Sequence, residues 1–134
     1  MKLILVSALL IVSTICSSDS NNVQEARLNQ EFDLPFKHKA VVKSEELELV
    51  FSSVVEDSRC PKGEQCITAG NGEIELAVSK AGKNVSIQLN TAEEPQEESV
   101  GSSTIKLLDL KPYPGQGNSP QDYVATLLVT SKDQ

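Results

Sequence analysis

The stretch Ile74-Glu75-Leu76-Ala77-Val78-Ser79-Lys80-Ala81-Gly82-Lys83-Asn84-Val85-Ser86-Ile87-Gln88-Leu89-Asn90 sets the fold class. Ile74, Leu76 and Val78 alternate with Glu75, Ala77 and Ser79. After a turn by composition, Ala81 to Asn84, Val85, Ile87 and Leu89 alternate with Ser86, Gln88 and Asn90. Successive side chains of an extended chain point to opposite faces, so a period of two makes two half-buried strands joined as a hairpin.

The same pattern continues on both sides. Upstream, Phe32 and Leu34 make a short strand ended by Pro35, and Lys39 to Val42 makes a second. Leu47, Leu49, Phe51 and Val55 alternate with Glu48, Ser52 and Val54. Downstream, Thr91 to Ser103 is acidic, broken by Pro95, and reads as a solvated loop. Thr104 to Leu110 is a further strand, and Pro112-Tyr113-Pro114-Gly115-Gln116-Gly117 is a turn. Tyr123 to Thr130 is an almost continuous apolar run, which predicts a central strand covered on both faces. About seven strands and no helical period predict an all-β domain. The expected architecture is an antiparallel β-sandwich, immunoglobulin-like in outline, with a small β-barrel as the alternative.

The 134 residues allow one domain, expected over 27–134. Aromatic residues make up only 4% and Trp is absent, so the core must come from Leu, Val and Ile, which suit a pleated sheet. The net charge of −7 argues against nucleic acid as a partner, because such binding needs a basic face. Lys2 followed by the apolar or small run Leu3 to Ile15 reads as a signal peptide over 1–16, too short for a permanent spanning helix. The polar residues that follow, 17–26, read as a flexible linker. The chain is therefore expected to be exported. Cys16 is then either the lipid-bearing first residue of a bacterial lipoprotein or lies beside an ordinary cleavage site at Cys16 or Ser18. Ile15 departs from the small residue that usually precedes a lipidated cysteine. In the lipoprotein reading, the contact with membrane is only through the anchor at Cys16.

The most distinctive passage is Glu56-Asp57-Ser58-Arg59-Cys60-Pro61-Lys62-Gly63-Glu64-Gln65-Cys66-Ile67-Thr68-Ala69-Gly70-Asn71. It resembles a motif of a family of small bacterial envelope proteins, many of them lipoproteins: EDSRCP, a few variable residues, then Cys, Val or Ile, Trp, and AGN. Glu56 to Pro61, Cys66, Ile67 and Ala69 to Asn71 match, and Thr68 stands where the family has Trp. The resemblance extends more loosely to the flanking strands and to the Pro112 and Tyr123 regions. It implies envelope location and supplies no activity.

Read from the residues, Cys60 and Cys66 in an oxidising compartment should form a disulfide that closes a tight loop, since Cys16 is lipidated or discarded and an even pair remains. A zinc site would need two more ligands, and the only histidine is His38. The spacing does not suit a redox pair. Glu56, Asp57 and Arg59 have two readings: an inward carboxylate that caps loop amides with Arg59 paired to an acid, or, together with Lys62, a binding loop for a protein or envelope ligand. No nucleophile-and-base pattern such as G-x-S-x-G is present, so no catalytic residue and no cofactor is expected. Glu93-Glu94 and Glu97-Glu98 lack calcium-loop spacing and read as a solvated charge run. Asn84-Val85-Ser86 matches a glycosylation sequon, without consequence in a bacterial host. The function expected is a non-enzymatic binding or structural module of the envelope. The alternative is a small secreted protease inhibitor that presents the Cys60–Cys66 loop, with Arg59 or Lys62 as bait.

Overall fold

A computed structural model describes residues 22–115 and 118–133. The signal-peptide expectation and Cys16 lie outside these residues, as does the first half of the stretch read as a linker, 17–21. Nine strands are present among the described residues: β1 (Val23–Glu25), β2 (Phe32–Pro35), β3 (Lys39–Val42), β4 (Leu47–Asp57), β5 (Gly72–Lys80), β6 (Lys83–Asn90), β7 (Glu97–Val100), β8 (Ser103–Lys111) and β9 (Val124–Ser131). They form a five-stranded sheet in the order β1-β3-β4-β5-β6 and a four-stranded sheet in the order β2-β9-β8-β7. All pairs are antiparallel except β1 with β3. The result is a β-sandwich, and the sheets do not close into a barrel.

The inward faces supply one apolar core. Val42, Leu47, Leu49, Phe51, Ile74, Leu76 and Leu89 come from the larger sheet, and Leu34, Ile105, Leu110, Leu127 and Val129 from the smaller. All are fully buried. Burying one such side chain is worth about 1.5–3 kcal/mol, so aliphatic residues suffice where aromatics are scarce. The edge-to-face contact of Phe36 and Phe51, with centroids 5.4 Å apart, fills one end.

The structure departs from the sequence reading at five places. Val23–Glu25, inside the stretch read as a linker, is an edge strand whose register places Val23 beside Lys39. Glu97–Val100, inside the stretch read as a solvated loop, is a strand that buries only Val100. β9 is central between β2 and β8, but its faces alternate: Ala125, Leu127 and Val129 are buried, while Val124, Thr126 and Leu128 are half-exposed. Composition alone could not distinguish a run covered on both faces from one covered on one. In β4, register shifts after Phe51 and after Val54 turn Val55 outward and bring Val54 against the core. A bulge inserts a residue and inverts the alternation beyond it. Finally, Val85 does not share the burial of Ile87 and Leu89: it is 38% exposed, near the hairpin turn that begins β6.

A node beneath a disulfide-closed arch: the candidate functional site

β4 ends at Asp57 and β5 begins at Gly72, and these two residues are paired in register. The intervening chain is an arch on their end of the sheet. Its two legs are tied together. The Ser58 N–H donates to the Asn71 carbonyl at 2.8 Å, and the Cys60 N–H donates to the Ala69 carbonyl at 3.0 Å. The Ser58 hydroxyl also accepts from the Asn71 N–H at 3.0 Å. The Cys60–Cys66 disulfide closes the far part, with α-carbons 5.8 Å apart.

The legs approach so closely that Gly70 has no alternative. Its φ is +70°, and a Cβ there would lie 1.9 Å from the Ser58 carbonyl oxygen. Only glycine fits a left-handed conformation under a backbone contact of this kind. Asn71, next in sequence, is 2% exposed. Its side-chain carbonyl accepts the N–H groups of Ala92 and Glu93 at 3.1 and 3.2 Å, and its amide donates to the Asn90 side chain at 2.7 Å. It thereby seats the acidic turn after β6, so the residues that ended the sequence motif are structural.

Beneath the arch lies an ionic node. The Asp57 and Arg59 side chains are 9% and 5% exposed. Arg59 donates from Nε to Asp57 Oδ1 at 2.8 Å and from an Nη to Oδ2 at 2.9 Å. It also donates to the carbonyls of Leu110 and Pro112. Its guanidinium lies 4.6 Å from the centroid of the Tyr113 ring. The Tyr123 hydroxyl donates to Asp57 Oδ2 at 2.8 Å. Planar guanidinium geometry allows these donors and a stacking face to be used at once. Burial pushes the Asp57 carboxyl up, but its bonds with Arg59 and Tyr123 prevail and leave it below the usual range. Burial likewise favours loss of the Arg59 proton, and Asp57 reverses this, so Arg59 is held more firmly charged than usual. Burial and the bond to Asp57 raise Tyr123.

The residues singled out in the sequence therefore separate. Asp57 and Arg59 meet, inward, beneath the arch. Glu56 is exposed and lies across from Glu73 on β5. Lys62 is exposed on the arch, as are Glu64, Gln65 and Thr68. Ile67 is fully exposed, at 105%. His38 is half-buried in the β2–β3 turn, where its carbonyl accepts the Phe51 N–H. Cys60 and Cys66 are consumed by the bridge, and among the described residues no group of three or more His, Cys, Asp or Glu is placed to hold a metal ion. Local sequence assigns no role in the node to Tyr113 or Tyr123, and none in seating the acidic turn to Asn71. Their partners are distant in sequence (66 positions separate Tyr123 from Asp57), and no local period carries that information. Comparison with known proteins found no matching family model, curated protein or solved structure.

Proposed function

We propose that this chain is an exported, non-enzymatic binding module of the bacterial envelope, lipid-anchored through Cys16, that meets its protein or envelope ligand with the arch Lys62 to Thr68. The observation that carries this reading is Ile67. A large apolar side chain stands wholly in solvent at the end of an arch closed by a disulfide and underpinned by a buried ion pair. Holding an apolar residue rigidly exposed lowers the ordering cost of a later contact. The non-enzymatic part rests on chemistry: Asp57, Arg59 and Tyr123, whose protonation is perturbed, spend their polar atoms on one another and on backbone carbonyls. The resemblance of the arch to a motif of small envelope proteins supports the location.

A photo-crosslinking residue at position 67 or 62 in the exported protein tests the reading, with Glu46, at the opposite end of the sheet, as control. A discrete adduct from 67 and 62 but not from 46 is expected. No adduct, or the same adducts from all three positions, would refute it. Mass spectrometry of the N-terminus tests the anchor: acylated Cys16 is expected, and an intact Met1 on envelope protein would overturn export.

The alternative, a protease inhibitor, keeps one bait residue. Arg59 is committed beneath the arch, whereas Lys62 is exposed within the bridged loop. Inhibition of a trypsin-like protease that disappears in Lys62→Ala would favour this alternative.

A further inference from the structure

Among the described residues four strands form the edges of the two sheets, and three of them are protected. β1 has three residues. β2 ends at Pro35 and carries exposed Asp33. β7 has four residues and begins Glu97-Glu98. Shortness, proline and charge are devices that stop a sheet edge from pairing with another chain. β6 lacks all of them from Asn84 to Asn90. It is eight residues long, pairs with β5 without a register shift, and has one charged residue, Lys83, at its start.

The register decides which backbone groups face outward. The two-residue turn Ala81-Gly82 makes Lys80 and Lys83 the first hydrogen-bonded pair, so Lys83, Val85, Ile87 and Leu89 bond toward β5. Asn84, Ser86, Gln88 and Asn90 then turn their N–H and C=O groups to the open side. Asn90 bears this out: its N–H donates to the Pro95 carbonyl at 3.0 Å, away from β5. Asn84, Ser86 and Gln88 follow in the same orientation. Beside them, between β6 and β7, runs a groove of about 760 Å³ lined by Val85, Ile87, Pro95, Glu98 and Val100.

We propose that β6 is a self-pairing edge, to which a second copy of this chain adds its own β6 antiparallel, centred on Ser86. In that register Ser86 faces Ser86 and Asn84 faces Gln88, so the outward groups of these three residues are used in both copies, while Asn90 keeps its bond to the Pro95 carbonyl. The same register places Val85 of each copy against Ile87 of the other, covering the apolar side chain of β6 that the sandwich leaves exposed. Charge favours this occupant. Lys83 of one copy stands across from Leu89 of the other, on the face that looks into the groove. Glu98 looks into the same groove, because its register partner on β8 is the buried Ile105. The lone charge of β6 is thus brought to the face of the joint that carries an acid, and no like charges face each other along it. This inference does not depend on the arch.

Single cysteines in the full chain, with Cys16→Ser, test the register. Facing residues of a hydrogen-bonded antiparallel pair have α-carbons about 5.5 Å apart, within disulfide reach. Ser86→Cys should cross-link to itself on oxidation. Asn84→Cys and Gln88→Cys should each stay uncross-linked alone, with like positions about 13 Å apart, and should cross-link when mixed. Failure of Ser86→Cys to cross-link, or equal cross-linking of Asn84→Cys alone, would overturn the proposal. Sedimentation equilibrium supplies the second reading. The wild-type chain should show a reversible monomer–dimer equilibrium at up to about 1 mM, and Ser86→Lys, which opposes two like charges on the solvent face, should abolish it with an unchanged circular dichroism spectrum. A wild-type chain that stays monomeric throughout, or a folded Ser86→Lys that dimerises as well as wild type, would equally overturn it.

Discussion

Arg59 grips Asp57, two residues before it, through both carboxylate oxygens, at 2.8 and 2.9 Å, and from the same guanidinium reaches the carbonyls of Leu110 and Pro112 on the other sheet's side of the molecule. One side chain therefore ties the exit of β4 to the exit of β8. The charge is buried, but each end has a partner, which is the condition under which a buried ion is tolerated.

Removing both partners should cost less than the two single removals added together. Asp57→Ala leaves a buried guanidinium without its anion and should destabilise the domain by about 3–5 kcal/mol. The double variant Asp57→Ala, Arg59→Met should be less destabilised than the sum of the single changes. Urea denaturation of wild type, Asp57→Ala, Arg59→Met and the double variant checks this. Strict additivity would mean that the pair is not energetically coupled.

Tyr123→Phe isolates the third member. It deletes the hydroxyl that donates to Asp57 Oδ2 at 2.8 Å and keeps the ring against the core. A loss of about 1.5–3 kcal/mol is expected for a bond to a charged acceptor. Thermal melts that coincide with wild type would show that water replaces the hydroxyl without cost.

The carboxylates make stability fall in acid. Asp57 is lowered by Arg59 and Tyr123 against the effect of burial. Glu45, at the other end of the sandwich, is lowered by its bonds with Ser103 and Lys80. A group with a lowered folded pKa binds its proton more readily when unfolded. Its stabilising effect is therefore complete above the unfolded value, about 4, and is lost as pH falls through the lower folded value. Denaturation midpoints should hold steady from neutrality to about pH 5 and decline below it. In Asp57→Asn that decline should be shallower. A slope that Asp57→Asn and Glu45→Gln leave unaltered would assign the acid sensitivity elsewhere.

The disulfide should matter locally. Reducing Cys60–Cys66 releases a short loop, for which chain entropy gives about 2 kcal/mol. The legs remain joined by the Ser58–Asn71 and Cys60–Ala69 bonds, and the core lies elsewhere. Hydrogen exchange should rise in the arch, from Arg59 to Thr68, and remain slow in β4 and β5. Global unfolding on reduction would mean that the arch holds the sandwich together.

Asn71→Ala should exceed that effect although it breaks no covalent bond. It leaves the Ala92 and Glu93 amides and the Asn90 side chain without their partner. The buried Asn90 oxygen left unsatisfied costs about 1–3 kcal/mol, and the two part-buried amides add to this loss. Chemical denaturation would rank Asn71→Ala below the reduced protein in stability, and the reverse order would count against Asn71 as the seat of the acidic turn.

The sequence by itself determined the all-β class, most of the strands and the Cys60–Cys66 bridge. Each is a local property: the two-residue alternation in β4, β5 and β6 reports which face is dry, and five intervening residues can bring two cysteines together. β1 and β7 escaped because three- and four-residue edge strands are polar where they meet solvent, and only their neighbours make them strands. The outward turn of Val55 escaped because a bulge is a mismatch between two strands, which neither shows alone. For the arch, the sequence supplied the acid, the base and the glycine, but not their arrangement. Tertiary structure decided that Asp57 and Arg59 face inward while Lys62 and Ile67 face out. That choice depends on Tyr123 and on the carbonyls of Leu110 and Pro112, which lie more than fifty positions away along the chain and are brought to Arg59 only when the two sheets pack. A buried charge requires its partners to be in place, and only the assembled core puts them there.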